Sequence, residues 1–171
     1  FSIGDGTFIC SVRPTSGSGR EGAVDWGACC PCCRTGVDAD IASECPGCNR
    51  FAELTEPDVR AQFVNTGKIR FRFVDFPLSG HRNTLNASVA AACGDEQGKF
   101  WPLHDMLYAK QDQWNGAATS DPDKVIKSLA RSIPGIDAKN FDQCVDTRKT
   151  LGKVQSHLQL AIDRNIPGTP T

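Results

Sequence analysis

Apolar side chains recur at spacings of three and four residues through most of the chain after residue 45, which places them on one face of a helix. Leu85 and Val89 show this spacing within NTLNASVAAAC. The predicted helices are one that begins at Cys45, NTLNASVAAAC, KFWPLHDMLYAKQ, a segment from Asp121 to Ile133, a short one in NFDQCVDTR, and one from Leu151 to Ile162. Asp121 and Pro122 mark a helix start, because Asp caps free backbone N–H groups and Pro suits the first turn.

A different pattern occupies residues 68–76, KIRFRFVDF, where apolar and basic residues alternate. Alternation with a period of two predicts a β-strand with one buried face. Residues 10–43 show no sustained period, and they contain RPTSGSGREG and CCPCCRTG, so we expect loop there. The chain ends in IPGTPT, whose Pro and Gly residues predict a turn into an extended segment.

Composition places the chain among globular proteins and argues against a nucleic-acid partner. The 171 residues are 39% hydrophobic and 23% charged, and this length suits one domain. No apolar run approaches the roughly 18 residues that a membrane span needs. The formal net charge is -1, so there is no basic field that would attract nucleic acid. We therefore expect no nucleic-acid partner.

Nine cysteines are many for a chain in a reducing compartment, and they favour a periplasmic or extracellular location. Because nine is odd, at least one thiol stays free, binds metal or pairs between molecules. Cys45 and Cys48 form a C-x-x-C motif with Pro and Gly between them. Such a motif is a redox centre, half of a zinc site, or two incidental thiols. CCPCC could supply the remaining zinc ligands, but Cys33 lies closer to Cys45 than the usual 15 to 20 residues.

Five segments resemble the DsbA-like thiol-disulfide oxidoreductases, and they occur in the order found in that family. They are ECPGCNRF, GKIRFRFVDFPLSGHRNTLNASVAAAC, EQGKFWPLHDMLYAKQDQW, FDQCVDT and IPGTPT. The resemblance covers residues 44–171 and implies an α/β thioredoxin-like fold with a helical subdomain inserted over about residues 78–163. Residues 1–43 are then an atypical Cys- and Gly-rich N-terminal segment.

The resemblance also implies roles for the motif residues. Cys45, at a helix N-terminus, is the expected nucleophile, and Cys48, one turn further, is the expected resolving thiol. Pro46 suits the first helical turn and Gly47 leaves room for a substrate. At the end of the chain, Thr169 and Pro170 match the family's cis-proline site, where the Thr169 backbone would hold the substrate peptide.

Cys93 and Cys144 match the region where several family members carry a second, non-catalytic disulfide. The resemblance therefore implies that they pair, and the alternative is two buried free thiols. We assign no catalytic role to the five remaining cysteines, and the sequence leaves their state open: Cys10, Cys29, Cys30, Cys32 and Cys33.

The chain departs from the family pattern in two places. The family has an apolar strand before the C-P-x-C motif, whereas this chain has TGVDADIASE, so we expect the central strand to be missing or degraded. Ala39 and Ala42 stand where the family strand has acids. Family members also continue after T-P-T into two strands and a helix, whereas this sequence stops at Thr171. We expect either a truncated chain or a partner that covers the open sheet.

Two hypotheses for function follow. The first is an extracytoplasmic oxidoreductase that exchanges disulfides with protein substrates and a membrane or soluble redox partner, without metal or other cofactor. The second is a catalytically degenerate, structural or accessory subunit of a larger complex. The sequence leaves open whether the enzyme would oxidise, reduce or isomerise its substrates, and what its oligomeric state is.

Overall fold

The computed structural model of the protein describes residues 35–171. Two strands and eight α-helices follow one another in this part of the chain. They are β1 (Thr35–Ile41), α1 (Pro46–Leu54), α2 (Glu56–Val59), β2 (Ile69–Asp75), α3 (Thr84–Asp95), α4 (Phe100–Ala109), α5 (Gln111–Trp114), α6 (Pro122–Ala130), α7 (Ala138–Asp146) and α8 (Leu151–Asp163). A π-helix, Arg60–Val64, continues α2. The described elements form a mixed α/β fold.

The expected loss of the strand before the cysteines is wrong. TGVDADI forms β1, which pairs in parallel with β2 from Thr35 opposite Ile69 to Ile41 opposite Asp75. Its acids do not break the strand, because Asp38 accepts two hydrogen bonds from Arg72 on the neighbouring strand. β1 lies within the segment 1–43 that the sequence sets apart.

The predicted β2 is present, but its burial does not alternate as a strand with one buried face would. Half-buried positions lead into three buried ones, Phe73, Val74 and Asp75. The reason is that both faces are covered, as is usual for parallel strands. Phe71 stacks on Trp101 of α4 at 6.0 Å between ring centroids, while α8 also packs against β2.

The helices predicted between residues 84 and 162 are present, and they enclose a core of their own. α3 lies at its centre and is buried on nearly every side, because its alanines let α4, α6, α7 and α8 approach closely. The N-cap prediction is confirmed, since the Asp121 side chain accepts a hydrogen bond from the backbone N–H of Lys124 at 3.3 Å. No helix within residues 35–171 has the length and apolar character of a membrane span.

Cys93 of α3 and Cys144 of α7 form a disulfide, the pair that the resemblance implies. Their Cα atoms are 5.9 Å apart and the sequence separation is 51 residues. Both cysteines are buried within the helical core. The bond therefore links two helices that already pack against each other.

Replacing both cysteines, as in a Cys93→Ala/Cys144→Ala variant, is expected to lower the free energy of unfolding by roughly 4 kcal/mol, because the bond closes a long loop in the unfolded chain. Urea unfolding followed by tryptophan fluorescence measures this difference. The control is the unchanged chain after full reduction, which should lose the same stability. Equal stability of the oxidised chain and the variant would contradict the prediction.

Candidate active site

Cys45 occupies the N-cap position of α1, directly after the loop that leaves β1. Pro46 takes the first helical position, where its missing N–H costs no hydrogen bond. The Cys45 sulfur lies 3.6 Å from the Thr169 carbonyl oxygen. Burial by itself would raise the pKa of Cys45, but hydrogen bonds with Thr169 and Cys48 and from the Cys48 and Gly47 backbone outweigh burial and lower it. The N-terminus of α1 thus favours a thiolate.

Cys48 lies one turn into α1 and is completely buried, in contrast to Pro46 and Gly47, which are exposed. Burial raises the pKa of the Cys48 thiol to about 12. In this structure both cysteines are free thiols. One helical turn therefore contains two different thiols: Cys45 ionises more readily than an ordinary cysteine, and Cys48 less readily.

The end of the described chain approaches this turn. The Thr169–Pro170 peptide bond is cis. Asp40 of β1 and Thr171 exchange two backbone hydrogen bonds, of 2.9 and 3.2 Å, which is the pattern of antiparallel strands. This pairing holds Thr169 and Pro170 beside the helix start. A Cβ atom placed on Gly47 would lie 3.3 Å from Pro170 Cδ, so glycine allows the close approach.

The structure thus brings together the residues that the sequence selects for the site: Cys45, Cys48, Pro46, Gly47, Thr169 and Pro170. Cys93 and Cys144 lie apart from them, in the helical core. The remaining five cysteines, Cys10, Cys29, Cys30, Cys32 and Cys33, lie outside the described residues.

Glu44 is a site residue whose role the sequence does not reveal. It precedes Cys45, and its side chain is almost fully buried. Its carboxylate accepts hydrogen bonds from the backbone N–H groups of Asn83, at 2.7 Å, and of Gly116. Glycine at position 116 allows this close approach, because a Cβ atom there would lie 2.8 Å from Glu44 Oε1. Through its side chain, Glu44 therefore holds the backbone just before Cys45 against the start of α3 and the loop after α5.

A second polar group lies behind the cysteines, between α2 and α4. Ligand atoms of Glu56, His104 and Asp105 lie within 4.8 Å of one another, as in some metal sites. Arg60 forms ion pairs with both carboxylates and lies 3.4 Å from His104 Nδ1, so both acids already have a cationic partner. The arrangement fits a partly exposed ion-pair network better than a metal site. Neither Cys45 nor Cys48 belongs to a group of metal-ligand atoms within residues 35–171.

Comparisons with known proteins bear on the family and the fold of this chain. The family model described as thioredoxin matches residues 37–171. A probable disulfide bond formation protein D of Bacillus anthracis is 22% identical over 129 residues, which are 75% of this chain and 59% of that protein. A Na(+)/H(+) antiporter NhaA 3 of Salinispora tropica is 30% identical over 129 residues, which are only 18% of its length.

Among solved structures, oxidised BdbD from Bacillus subtilis superimposes with a TM-score of 0.70 and 23% identity, and the match covers 80% of this chain and 73% of that one. This likeness shows the fold, which is the DsbA-like thioredoxin fold that the resemblance implies. The chain spans less than two thirds of the length of the curated relatives described above.

The lowered pKa of Cys45 and the raised pKa of Cys48 predict selective alkylation. In the reduced protein at pH 7, iodoacetamide should modify Cys45 and leave Cys48 unmodified, because only thiolates react. The rate at Cys45 should rise with pH and reach its midpoint below 9.0, the ordinary value. Peptide mass mapping measures both sites, and urea-unfolded protein is the control. Equal labelling of the two cysteines in folded protein would refute the assignment.

A Glu44→Ala variant should lose about 3 kcal/mol of unfolding free energy, because two backbone N–H groups lose their acceptor in a buried place. Urea unfolding of the reduced protein measures the loss. Glu53→Ala, which removes an exposed carboxylate of α1, is the matched control and should change the stability little. The same small change in both variants would contradict the connecting role of Glu44.

Proposed function

Because this chain belongs to the thioredoxin family, we propose that it is a DsbA-like thiol-disulfide oxidoreductase that exchanges disulfides with protein substrates. The observation that supports this most strongly is the unequal pair of thiols at the start of α1. Disulfide exchange requires a thiolate to attack and a second thiol close enough to resolve the adduct. Cys45 and Cys48 meet these two requirements.

The exchange proceeds through a mixed disulfide on Cys45. In the reducing direction, the Cys45 thiolate attacks one sulfur of a substrate disulfide, and the other substrate sulfur leaves as a thiolate. Cys48 then loses its proton and attacks Cys45, which closes the Cys45–Cys48 disulfide and releases the second substrate sulfur. In the oxidising direction the same steps run in reverse, and two substrate thiols give up two electrons to the disulfide.

Thr169 and Pro170 are proposed to bind the substrate chain. The Thr169 carbonyl faces the Cys45 sulfur at 3.6 Å, and Pro170 is exposed beside Gly47. A substrate segment that pairs with the backbone of Thr169 as an added strand would therefore bring its own sulfur to Cys45. Pro46 and Gly47 are exposed, so they do not block a substrate chain that reaches Cys45.

The two alternatives for the cysteine pair have less support. One of the two features that favour the accessory-subunit hypothesis is loss of the strand before Cys45, and β1 supplies that strand. A zinc site would need further ligands beside Cys45 and Cys48, and the structure describes none of CCPCC. We propose that the protein works in the periplasm or outside the cell, because the Cys93–Cys144 disulfide suits an oxidising compartment.

Redox titration of the full chain tests the proposal. After equilibration in glutathione buffers of graded ratio, acid quench, alkylation and peptide mapping should find a reversible Cys45–Cys48 disulfide with one defined midpoint. A Cys48→Ser variant should instead accumulate a mixed disulfide on Cys45, because nothing resolves it. Cys93–Cys144 is the internal control, since a structural disulfide should open only at a more reducing ratio. If Cys45 and Cys48 stay unlinked across the series, the proposal fails.

A further inference from the structure

The segment that joins α4 to α5 contacts the chain on both sides of the cysteine motif. Asn49, directly after the motif, donates a side-chain hydrogen bond to the Tyr108 carbonyl at 2.9 Å. Gln111, the first residue of α5, donates from Nε2 to the Ser43 carbonyl at 2.8 Å and, over a longer distance of 3.4 Å, to the Cys45 carbonyl. One short segment of the helical subdomain thus holds the backbone at the start of α1.

Gln111 is held in place by the rest of its own short helix. Trp114, the last residue of α5, is completely buried. Its indole N–H donates to the Leu107 carbonyl at 2.7 Å, and its carbonyl accepts from the Asn83 side chain at 2.8 Å. α5 is therefore tied to α4 and to the residue before α3, and the Gln111 side chain extends from a fixed support.

The loop between β1 and α1, residues 42–45, is buried, so its backbone groups need partners inside the protein. The Cys45 N–H donates to the Ala42 carbonyl at 2.9 Å, which closes a turn. Gln111 supplies a donor for the Ser43 carbonyl inside that turn. Without this donor, the buried carbonyl stays unpaired or the turn moves to find another partner.

The position of this turn matters because Cys45 ends it. Burial is the largest single influence on the pKa of Cys45 and raises it, but hydrogen bonds with Thr169 and Cys48 and from the Cys48 and Gly47 backbone together lower it. Such bonds weaken steeply when donor and acceptor lose their alignment. A donor that fixes the backbone of Cys45 therefore keeps its sulfur aligned with the end of the helix.

Gln111 acts on the backbone of the motif. The Cys45 carbonyl accepts a backbone hydrogen bond from Asn49 at 3.0 Å, within the first turn of α1, and Gln111 shares this carbonyl. The Gln111 amide is neutral and its acceptors are carbonyl oxygens, so closing or opening the Cys45–Cys48 disulfide changes neither partner. The same restraint on orientation is thus available before and after the exchange.

We propose that Gln111 is a positioning residue for the reactive thiol. By donating to the carbonyls of Ser43 and Cys45, it keeps the Cys45 sulfur at the start of α1, beside the Thr169 carbonyl and one turn from Cys48. The donor group of Gln111, and not its bulk, carries this role. The role rests on the proposed function, and it adds a residue of the helical subdomain to the site of the reaction.

Gln111→Met tests the role, because it keeps the length of the side chain and removes the donor. The reduced full chain is treated with iodoacetamide across a pH series, and peptide mass mapping follows the rate at Cys45. The midpoint of the rate profile should move to higher pH, and the rate near neutral pH should fall about threefold, because the helix N–H groups stabilise a displaced thiolate less well. Gln111→Glu keeps the shape, replaces the donor by a carboxylate and should have at least the same effect.

The resolving step gives a second readout. Reduced protein is mixed rapidly with oxidised glutathione and quenched with acid, and peptide mapping follows conversion of the Cys45–glutathione adduct into the Cys45–Cys48 disulfide. Both variants should slow this conversion about threefold or more, because the mixed disulfide is less well aligned with Cys48. If the unchanged chain forms no adduct, the proposed function fails, while the alkylation profile still tests Gln111.

Gln113→Met is the matched control, since Gln113 is an exposed glutamine of the same helix. It should leave the pH midpoint and both rates unchanged. Lower stability of Gln111→Met in urea, combined with an unchanged pH midpoint and unchanged conversion, would make Gln111 purely structural and overturn the proposal. If Gln111→Met unfolds at the assay temperature, Gln111→Glu decides, and unfolding of both variants also overturns it.

Discussion

The backbone pairing of β1 on both of its edges is the constraint on which the site depends. One edge pairs with β2 along seven residues, and the other exchanges two hydrogen bonds with Thr171. Cys45 follows β1 directly, and Thr169 stands two residues before Thr171. The same strand thus sets the positions of the reactive sulfur and of the carbonyl beside it, and neither could be placed by local sequence alone.

The start of α1 then gives the two cysteines different chemistry over a single turn. Both cysteines belong to the buried cluster between the strands and α4, but Cys45 also contacts free N–H groups at the helix end and the Thr169 carbonyl. Hydrogen bonds lower the pKa of Cys45, and desolvation raises the pKa of Cys48. Because the two effects have opposite signs, the two thiols of one helical turn differ in how readily they ionise.

The helical part of the chain forms one wall of the site. α4 supplies Tyr108 to the buried cluster around Cys45 and Cys48, and it supplies His104 to the ion-pair network with Glu56. The Glu44 side chain, directly before Cys45, accepts a hydrogen bond from the backbone at the start of α3. The disulfide between α3 and α7 holds the core on which α4 rests.

The sequence by itself determined the features that depend on local pattern. These are the helices between residues 84 and 162, the Asp121 cap and β2. The resemblance also selected Cys45, Cys48, Thr169 and Pro170, which the structure brings close together. Tertiary structure decided the rest. The segment TGVDADIASE lacks the apolar residues of the family strand, but β1 forms by pairing with β2, and Arg72 and Arg164 reach Asp38 from 34 and 126 residues away. Glu44, Glu56 and Tyr108 carry no local signal, because their surroundings come from helices far along the chain. Periodicity reports which face of an element is buried, whereas the partners of a buried polar group exist only after the elements have packed.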